Sequence, residues 1–376
     1  MGAMNDLAVV DCEDIAWFRH DPTLPSAARG AAATLARRVG LDPQRASEVA
    51  LAVTEAATNL HQHTPDGALL LRVLRAGSEA GVEFLTVDNG PGMADVAAAL
   101  MDGASTAGTL GIGLGAVARL ADRFDIHSLP GKGTVVSAQF WARGRGATPA
   151  PVPPPAHGTT VASGITRPIS GETVCGDAWT VRVDPGTHHS EAGDGRHGSA
   201  RGRITSASTS PALLVMMCDG LGHGPLAALA GEAAVKAFRQ SRATRPEELL
   251  GDVHKALRGT RGGAVAIARV EPAVRRLLYC GIGNVSGFLV GPGFRTGLLS
   301  APGIVGHQMR SLRTFEYPLS EDSALVMHSD GLSERWKPQD MPGLLQHAPA
   351  VIAGQLLREA AVRRDDAGIV VVKGAW

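Results

Sequence analysis

Along residues 43–60 the apolar positions recur at helical spacing, with Val49, Val53, Ala56 and Leu60 on one face. Asp42 followed by Pro43 predicts where that helix starts, because an aspartate caps the first amides and a proline fits the first turn. Glu55 and Asn59, four residues apart, share a different face. A second helix, rich in Ala, Arg and Leu, is predicted over 25–39 and closed by Gly40. Residues 8–18 alternate as a strand does, and the runs 69–74 and 82–87 predict a strand pair. The second run leads directly into Asp88-Asn89-Gly90-Pro91-Gly92. A carboxylate at a strand end with two glycines behind it suits close approach of a ligand to the backbone. The same residues also suit a plain turn.

Residues 105–115 hold Gly108, Gly111, Gly113 and Gly115 ahead of a helix expected over 116–124. Glycines before a helix start let amide N–H groups and the helix dipole face phosphates. The G-x-G-x-G spacing, with no strand close before it, excludes the dinucleotide fingerprint. A strand pair over 125–129 and 134–141, around a Pro-Gly-Lys-Gly turn, closes this half. His61 and His63 read as solvated loop residues.

From 144 to 157 the chain reads GRGATPAPVPPPAH, with five prolines. Proline fixes φ and removes a backbone donor, so this stretch predicts an extended spacer rather than helix or sheet. The expected division is a first domain over 4–143, a linker over 144–158 and a second domain over 159–376.

The second domain is expected to open with strands over 161–165 and 178–183, with Cys175-Gly176-Asp177 between them. Residues 184–210 read as an insertion whose His188, His189 and His197 are polar loop residues rather than metal ligands. The apolar run 213–218 ends in Asp219-Gly220, and helices are predicted over 225–240 and 247–257. Runs at 264–270, 275–280 and 285–290 read as consecutive antiparallel strands. A strand over 324–328 ends in Ser329-Asp330-Gly331, and a helix over 351–361 leads to Asp365-Asp366 and a last strand over 369–372. Carboxylates thus recur at four strand ends: Asp177, Asp219, Asp330 and the pair Asp365/Asp366. Clustered aspartates are costly to bury without cations between them, so the pattern suggests a binuclear Mg²⁺ or Mn²⁺ site.

Composition narrows the class. Lys and Arg number 36 and Asp and Glu number 36, which gives no electrostatic case for nucleic acid or an anionic membrane. No apolar run approaches the ~20 residues of a membrane span, and the N-terminus lacks a signal-peptide pattern. Met1-Gly2-Ala3 reads as a tag remnant before Met4. The four scattered cysteines indicate neither a zinc site nor a disulfide framework, and a cytoplasmic location is expected.

Glu-x-x-x-Asn on a helix, Asp-x-Gly-x-Gly after a strand and a glycine-rich lid before a helix together resemble the GHKL ATP-binding fold of the histidine kinases. The run MDGASTAGTLGIGLGAVARLADRFDIHSLPGKGT resembles the RsbT-like serine/threonine switch kinases of bacterial stress signalling. That resemblance implies an α/β sandwich with a mixed sheet and helices on one face. It implies that Asn59 holds Mg²⁺, that Asp88 accepts from the adenine amino group of ATP, and that Glu55 is the general base. Gly90 and Gly92 would shape the pocket, and Gly108, Gly111, Gly113 and Gly115 the phosphate lid. The switch kinases usually carry Leu-Pro-Gly where this chain has Leu114-Gly115-Ala116. Beyond the linker, CGDAW, DGLGHGPLA, YCGIGNV, HSDGL and RRDD resemble the SpoIIE-type, RsbX-like phosphatases of the metal-dependent PPM family. An α-β-β-α sandwich is then implied. Asp177, Asp219, the Gly220 carbonyl, Asp330 and Asp365 would hold two metals, with Asp219 and Asp330 central to catalysis. The family usually has Thr where this chain has Gly368.

Together the resemblances imply a two-domain α/β protein that phosphorylates and dephosphorylates Ser or Thr on a STAS-domain scaffold or antagonist protein. A different class of function, an ATP-binding module that sequesters a partner, competes for the first domain, although Glu55 favours catalysis. A third reading makes one domain a degenerate regulator of the other. A linker of about 14 extended residues reaches roughly 40 Å, enough for both sites to visit one bound partner.

Overall fold

The structure is a computed structural model that describes residues 9–19, 21–64, 66–101, 113–142, 161–186, 211–309, 312–362, 364–374 and 376. Gly108, Gly111, the proline-rich linker and His188, His189 and His197 lie outside the described residues.

The first half runs β1 (Asp11–Arg19), α1 (Leu24–Arg38), α2 (Pro43–His63), β2 (Gly67–Ala76), β3 (Glu79–Asp88), α3 (Val96–Leu100), α4 (Gly113–Leu120), β4 (Arg123–Ser128) and β5 (Thr134–Trp141). The helix start at Asp42 is as expected, since its Oδ1 accepts from the Arg45 amide at 2.9 Å. His61 and His63 are exposed but belong to the last turn of α2, not to a loop. The helix expected to reach 124 stops at Leu120, because Asp122 N already donates to Gln139 O and draws the chain into the sheet.

The sheet order is β1-β2-β3-β5-β4, and every pairing is antiparallel. The expected mixed sheet is thereby corrected. β3 and β4 run the same way, but β5 returns between them, so no parallel neighbours arise among the described strands of this sheet. One face of the sheet presents Leu69, Leu71, Val73, Val82, Phe84, Ala138 and Phe140 to α1 and α2.

The second half contains β6 (Val161–Arg167), β7 (Asp177–Asp184), β8 (Ala212–Gly220), α5 (Pro225–Gln240), α6 (Pro246–Leu257), β9 (Gly263–Glu271), β10 (Arg276–Ile282) and β11 (Ser286–Gly291). It continues with β12 (Phe294–Leu298), β13 (Ser300–Ala301), β14 (Phe315–Pro318), β15 (Ala324–His328), α7 (Pro349–Ala360) and β16 (Ala367–Lys373). One sheet has the order β13-β10-β9-β8-β7, with β14 on β10, and the other β12-β11-β15-β16-β6. The three strands expected as one meander are therefore split: β9 pairs with β10, while β11 joins the opposite sheet. Gly283, at φ 91°, starts the turn that carries the chain across. Helices α5 and α6 cover the outside of one sheet and α7 the outside of the other, giving the α-β-β-α order.

The two halves share a core. β2 and β3 are apolar on both faces, and the second face puts Leu70 and Leu85 in one cluster with Ile352, Leu356 and Leu357 of α7. Val87 and Val135 pack on Val351 beside them. Gly354 sits in the middle of α7, where glycine costs about 0.5–1 kcal/mol against alanine. A Cβ there would lie 2.9 Å from Val135 Cγ1 and 3.1 Å from Leu85 Cδ2, so the missing side chain is what admits the sheet. Arg72 adds a buried clamp. Its Nε lies 2.7 Å from Asp14 Oδ1 and its Nη1 3.0 Å from Glu83 Oε2, while Nη2 donates to the Gly164 carbonyl of β6 at 2.5 Å. Trp17 Nε1 donates to Thr166 O at 2.8 Å, and Thr166 N to Asp14 Oδ2 at 2.7 Å. The second face of β2 and β3 is apolar and has to be covered, and α7 covers it.

Candidate nucleotide and metal sites

In the first half, α2 carries Glu55 and Asn59 one turn apart, both partly exposed. Among the described residues neither has a hydrogen-bond partner, so both are free to meet a ligand. Asp88 ends β3, and its Oδ1 accepts from Gly90 N at 2.7 Å and Thr134 N at 3.3 Å. Burial pushes the Asp88 carboxyl above its usual range, while those two amides and the nearby Arg358 charge pull it back. The glycines around it answer to packing. A Cβ on Gly90 would lie 2.9 Å from Asp88 Oδ1, one on Gly92 would lie 2.0 Å from Leu129 O, and one on Gly133 would lie 1.9 Å from Asp88 O. The turn that presents Asp88 therefore closes only on three glycines. Gly113 starts α4 at φ 50° with open space where a Cβ would point, leaving its backbone approachable. Gly115 faces the other way, its missing Cβ 2.3 Å from the Leu100 carbonyl that ends α3. Glu55, Asn59 and Asp88 fit a nucleotide with its cation: an uncommitted amide and carboxylate on a helix, and a carboxylate acceptor held at a strand end.

The second site forms where the two sheets of the sandwich meet at one end. Asp177 starts β7 and stands in register opposite Asp219 at the end of β8. Asp330 follows β15, and Asp365 and Asp366 precede β16, the strand paired with β15. Sequence alone leaves Asp365 and Asp366 equivalent, and the structure separates them. Asp366 is buried, and its Oδ1 accepts from Ile169 N at 2.7 Å and its Oδ2 from Gly176 N at 2.6 Å. It is occupied in tying the 169–176 segment to β16. Asp365 is more open and close enough to raise the Asp219 carboxyl. Asp330 Oδ2 accepts from Asn284 Nδ2 at 2.5 Å, a partner the sequence reading missed although it stands inside the YCGIGNV run.

The electrostatics here are those of carboxylates short of counter-charge. Burial, then Asp330 and Asp365, push Asp219 up to about 7. Burial, then Asp219, push Asp177 well above the carboxylate range despite the Ser329 hydroxyl. Asp219 Oδ2 is buried and, among the described residues, lacks any hydrogen bond. An orphaned oxygen among mutually repelling carboxylates fits a divalent cation. Among the described residues no three Asp, Glu, His or Cys side chains stand close enough to hold an ion as they are. Gly220, named for its carbonyl, packs tightly: a Cβ would lie 2.6 Å from Ala227 O and 2.8 Å from Gly176 O. The end of α7 is stitched to the Asp330 turn, Val362 N donating to Gly331 O at 2.8 Å and Ser333 N to Ala360 O at 2.8 Å.

Comparison with known proteins follows this division. Residues 18–140 match the histidine kinase-like ATPase domain family, and residues 209–373 match the stage II sporulation protein E (SpoIIE) family. Over 117 residues the chain is 32% identical to the serine/threonine-protein kinase RsbT of Bacillus subtilis (strain 168), spanning 31% of this chain and 88% of that protein. A solved structure of RsbX in complex with magnesium is 19% identical with a TM-score of 0.43, covering 57% of this chain and 94% of that one. The PP2C phosphatase domain of SpoIIE from Bacillus subtilis, with a fragment of its regulatory domain, is 11% identical with a TM-score of 0.42, covering 78% and 79%. At these scores neither structural likeness adds to the two family matches. Over its first part the chain belongs to the family of the kinase RsbT, and it carries a SpoIIE-family domain behind it.

Proposed function

We propose that this chain both adds phosphate to and removes phosphate from serine or threonine on a partner protein. The observation that carries this is the coexistence of two residue sets in one chain: Glu55, Asn59 and the Asp88 turn in one half, and the aspartates at one end of the sandwich in the other. In the first site Asn59 holds the Mg²⁺ of ATP, Asp88 accepts from the adenine amino group, and Gly108, Gly111, Gly113 and Gly115 belong to the phosphate lid. Glu55 takes the proton of the attacking hydroxyl. In the second, Asp177, Asp219, the Gly220 carbonyl, Asp330 and Asp365 hold two cations, Mg²⁺ or Mn²⁺. When bound, such cations would neutralise the carboxylates and activate water for attack on the phosphoester. Asp366 holds the backbone beneath them.

Kinship with RsbT supports a STAS-domain scaffold or antagonist as the partner, in a cytoplasmic partner-switching system. The division at 4–143, 144–158 and 159–376 is proposed with it. Because α7 docks the halves together, a partner visits the two sites in turn rather than being swept between them by a tether.

The test uses the full chain with a STAS-domain protein, ATP and Mg²⁺, followed by Mn²⁺. Asn59→Ala should lose Mg·ATP binding in calorimetry, and Glu55→Ala should keep ATP binding but lose transfer. Asp219→Asn should transfer phosphate yet fail to release it. Undiminished transfer by Glu55→Ala would remove the base assignment, whereas wild type that binds ATP and partner without transferring phosphate would favour a sequestering module.

A further inference from the structure

Arg358 lies on α7, in the second half of the chain, yet it reaches the turn that carries Asp88. Its Nη1 donates to Asn89 Oδ1 at 3.1 Å, across 269 residues of sequence. The side chain is only 6% exposed. Among the described residues its one carboxylate partner is Glu359, at 3.1 Å from Nη2, and that group is 32% exposed. Nε is buried and, among the described residues, has no hydrogen bond. A guanidinium buried this deeply ordinarily sits against a committed carboxylate, as Arg72 does between Asp14 and Glu83. Arg358 instead divides its donors between the partly exposed Glu359 and the amide oxygen of Asn89, an exposed loop residue directly beside Asp88. Its placement follows from the fold. Gly354 seats α7 against Leu85 and Val135, and one helical turn later Arg358 arrives level with the end of β3.

We infer that Arg358 is a positioning residue for adenine recognition, so that the second half of the chain holds the turn on which the first half reads its nucleotide. The inference rests on Asp88 being the acceptor for the adenine amino group. Asp88 Oδ1 is occupied by two backbone amides, which leaves its orientation dependent on where the 88–90 turn sits. Asn89, next in the chain, is the handle by which Arg358 fixes that turn. The same positive charge opposes the burial that raises the Asp88 carboxyl and so favours the ionised acceptor.

The experiment is calorimetric titration of the full chain in Mg²⁺ with ATP and with ITP, whose base presents an oxygen where adenine presents its amino group. Wild type, Arg358→Gln, Arg358→Lys and Asp88→Asn are compared, each with its thermal midpoint. Losing one charge-assisted positioning contact should weaken ATP binding about tenfold in Arg358→Gln. The ATP-to-ITP preference should narrow with it, and Arg358→Lys should recover part of both. ATP affinity and preference unchanged in Arg358→Gln, while Asp88→Asn loses them, overturns the role of Arg358 alone. Equal weakening of ATP and ITP, with a lowered midpoint and no recovery by lysine, overturns it in favour of simple loosening. Wild-type binding by Asp88→Asn removes the base-recognition reading and this inference together.

Discussion

Ser329 donates its hydroxyl to Asp177 Oδ2 at 2.6 Å and accepts from the Gly368 amide at 3.0 Å, locking an aspartate of one sheet to the last strand of the other. Gly368 is part of this lock. A Cβ on it would lie 2.9 Å from Asp177 Cβ and 2.3 Å from Met217 Cε. The Met217 end can swing aside, but Asp177 is held by β7. Gly368→Thr, which restores the residue usual in the resembling phosphatases, should therefore destabilise this chain by about 1–3 kcal/mol through overpacking. Denaturant unfolding checks it, and wild-type stability would show that the end of β7 is free to yield.

The second prediction concerns removal of the metal. Asp219 is raised to about 7 by burial and by its neighbours, so the folded state binds more protons than the unfolded chain. Stability of the metal-free protein should then fall as pH rises between about 4 and 7. Asp219→Asn should flatten that fall and raise the metal-free midpoint at pH 8, while abolishing the stabilisation that Mn²⁺ gives wild type. Thermal melts with and without chelator decide it; a variant that is still stabilised by Mn²⁺ would refute the ligand assignment.

Arg72 tests whether the halves are one cooperative body. It is fully buried, and Arg72→Met leaves Asp14 and Glu83 without their partner. Breaking a buried ion pair from one side costs about 3–5 kcal/mol. Because Leu70, Leu85 and α7 share one cluster, wild type should unfold in a single transition by circular dichroism. Two separated transitions in wild type would contradict the shared core.

Asp125 gives the docking contact a pH dependence. His347 Nδ1 stands 2.8 Å from its Oδ1, and Ala348 N, at the start of α7, donates to its Oδ2 at 2.7 Å. Burial alone would raise this carboxyl, but the His347 and Ala348 bonds outweigh it and hold it below the usual range. A depressed carboxylate stabilises the fold above its unfolded pKa and loses that contribution as pH falls through the folded value. Asp125→Asn should cost about 1 kcal/mol at pH 7 and show a shallower loss of stability below about pH 4. Equal acid sensitivity in the two proteins would place the acid lability elsewhere.

Much of the local structure was legible because it is periodic or punctuated. The cap at Asp42, helix α5 at its observed bounds and the carboxylate-ending strands follow from side-chain spacing, proline and glycine, all of which act within a few residues. The docking of the halves left one readable trace. The runs Leu69-Leu70-Leu71 and Phe84-Leu85 are apolar without alternation, and a strand of that kind is buried on both faces. What covers the second face could not be read, since Gly354 and Val351 are ordinary residues in an amphipathic helix until the sheet meets them.

The sequence by itself determined two motif sets in order, the chemistry each residue type offers, and the families that share them. It could not divide Asp365 from Asp366, because adjacent carboxylates differ only in which backbone amides come within reach, and Gly176 and Ile169 arrive from nearly 200 residues away. Nor could it turn the antiparallel sheet, since strand direction depends on β5 returning between β3 and β4. Burial and contact are properties of the packed chain. Only the tertiary structure brings Arg358 to Asn89, sets α7 between two sheets, and makes one body of two halves that a proline-rich stretch separates in the sequence.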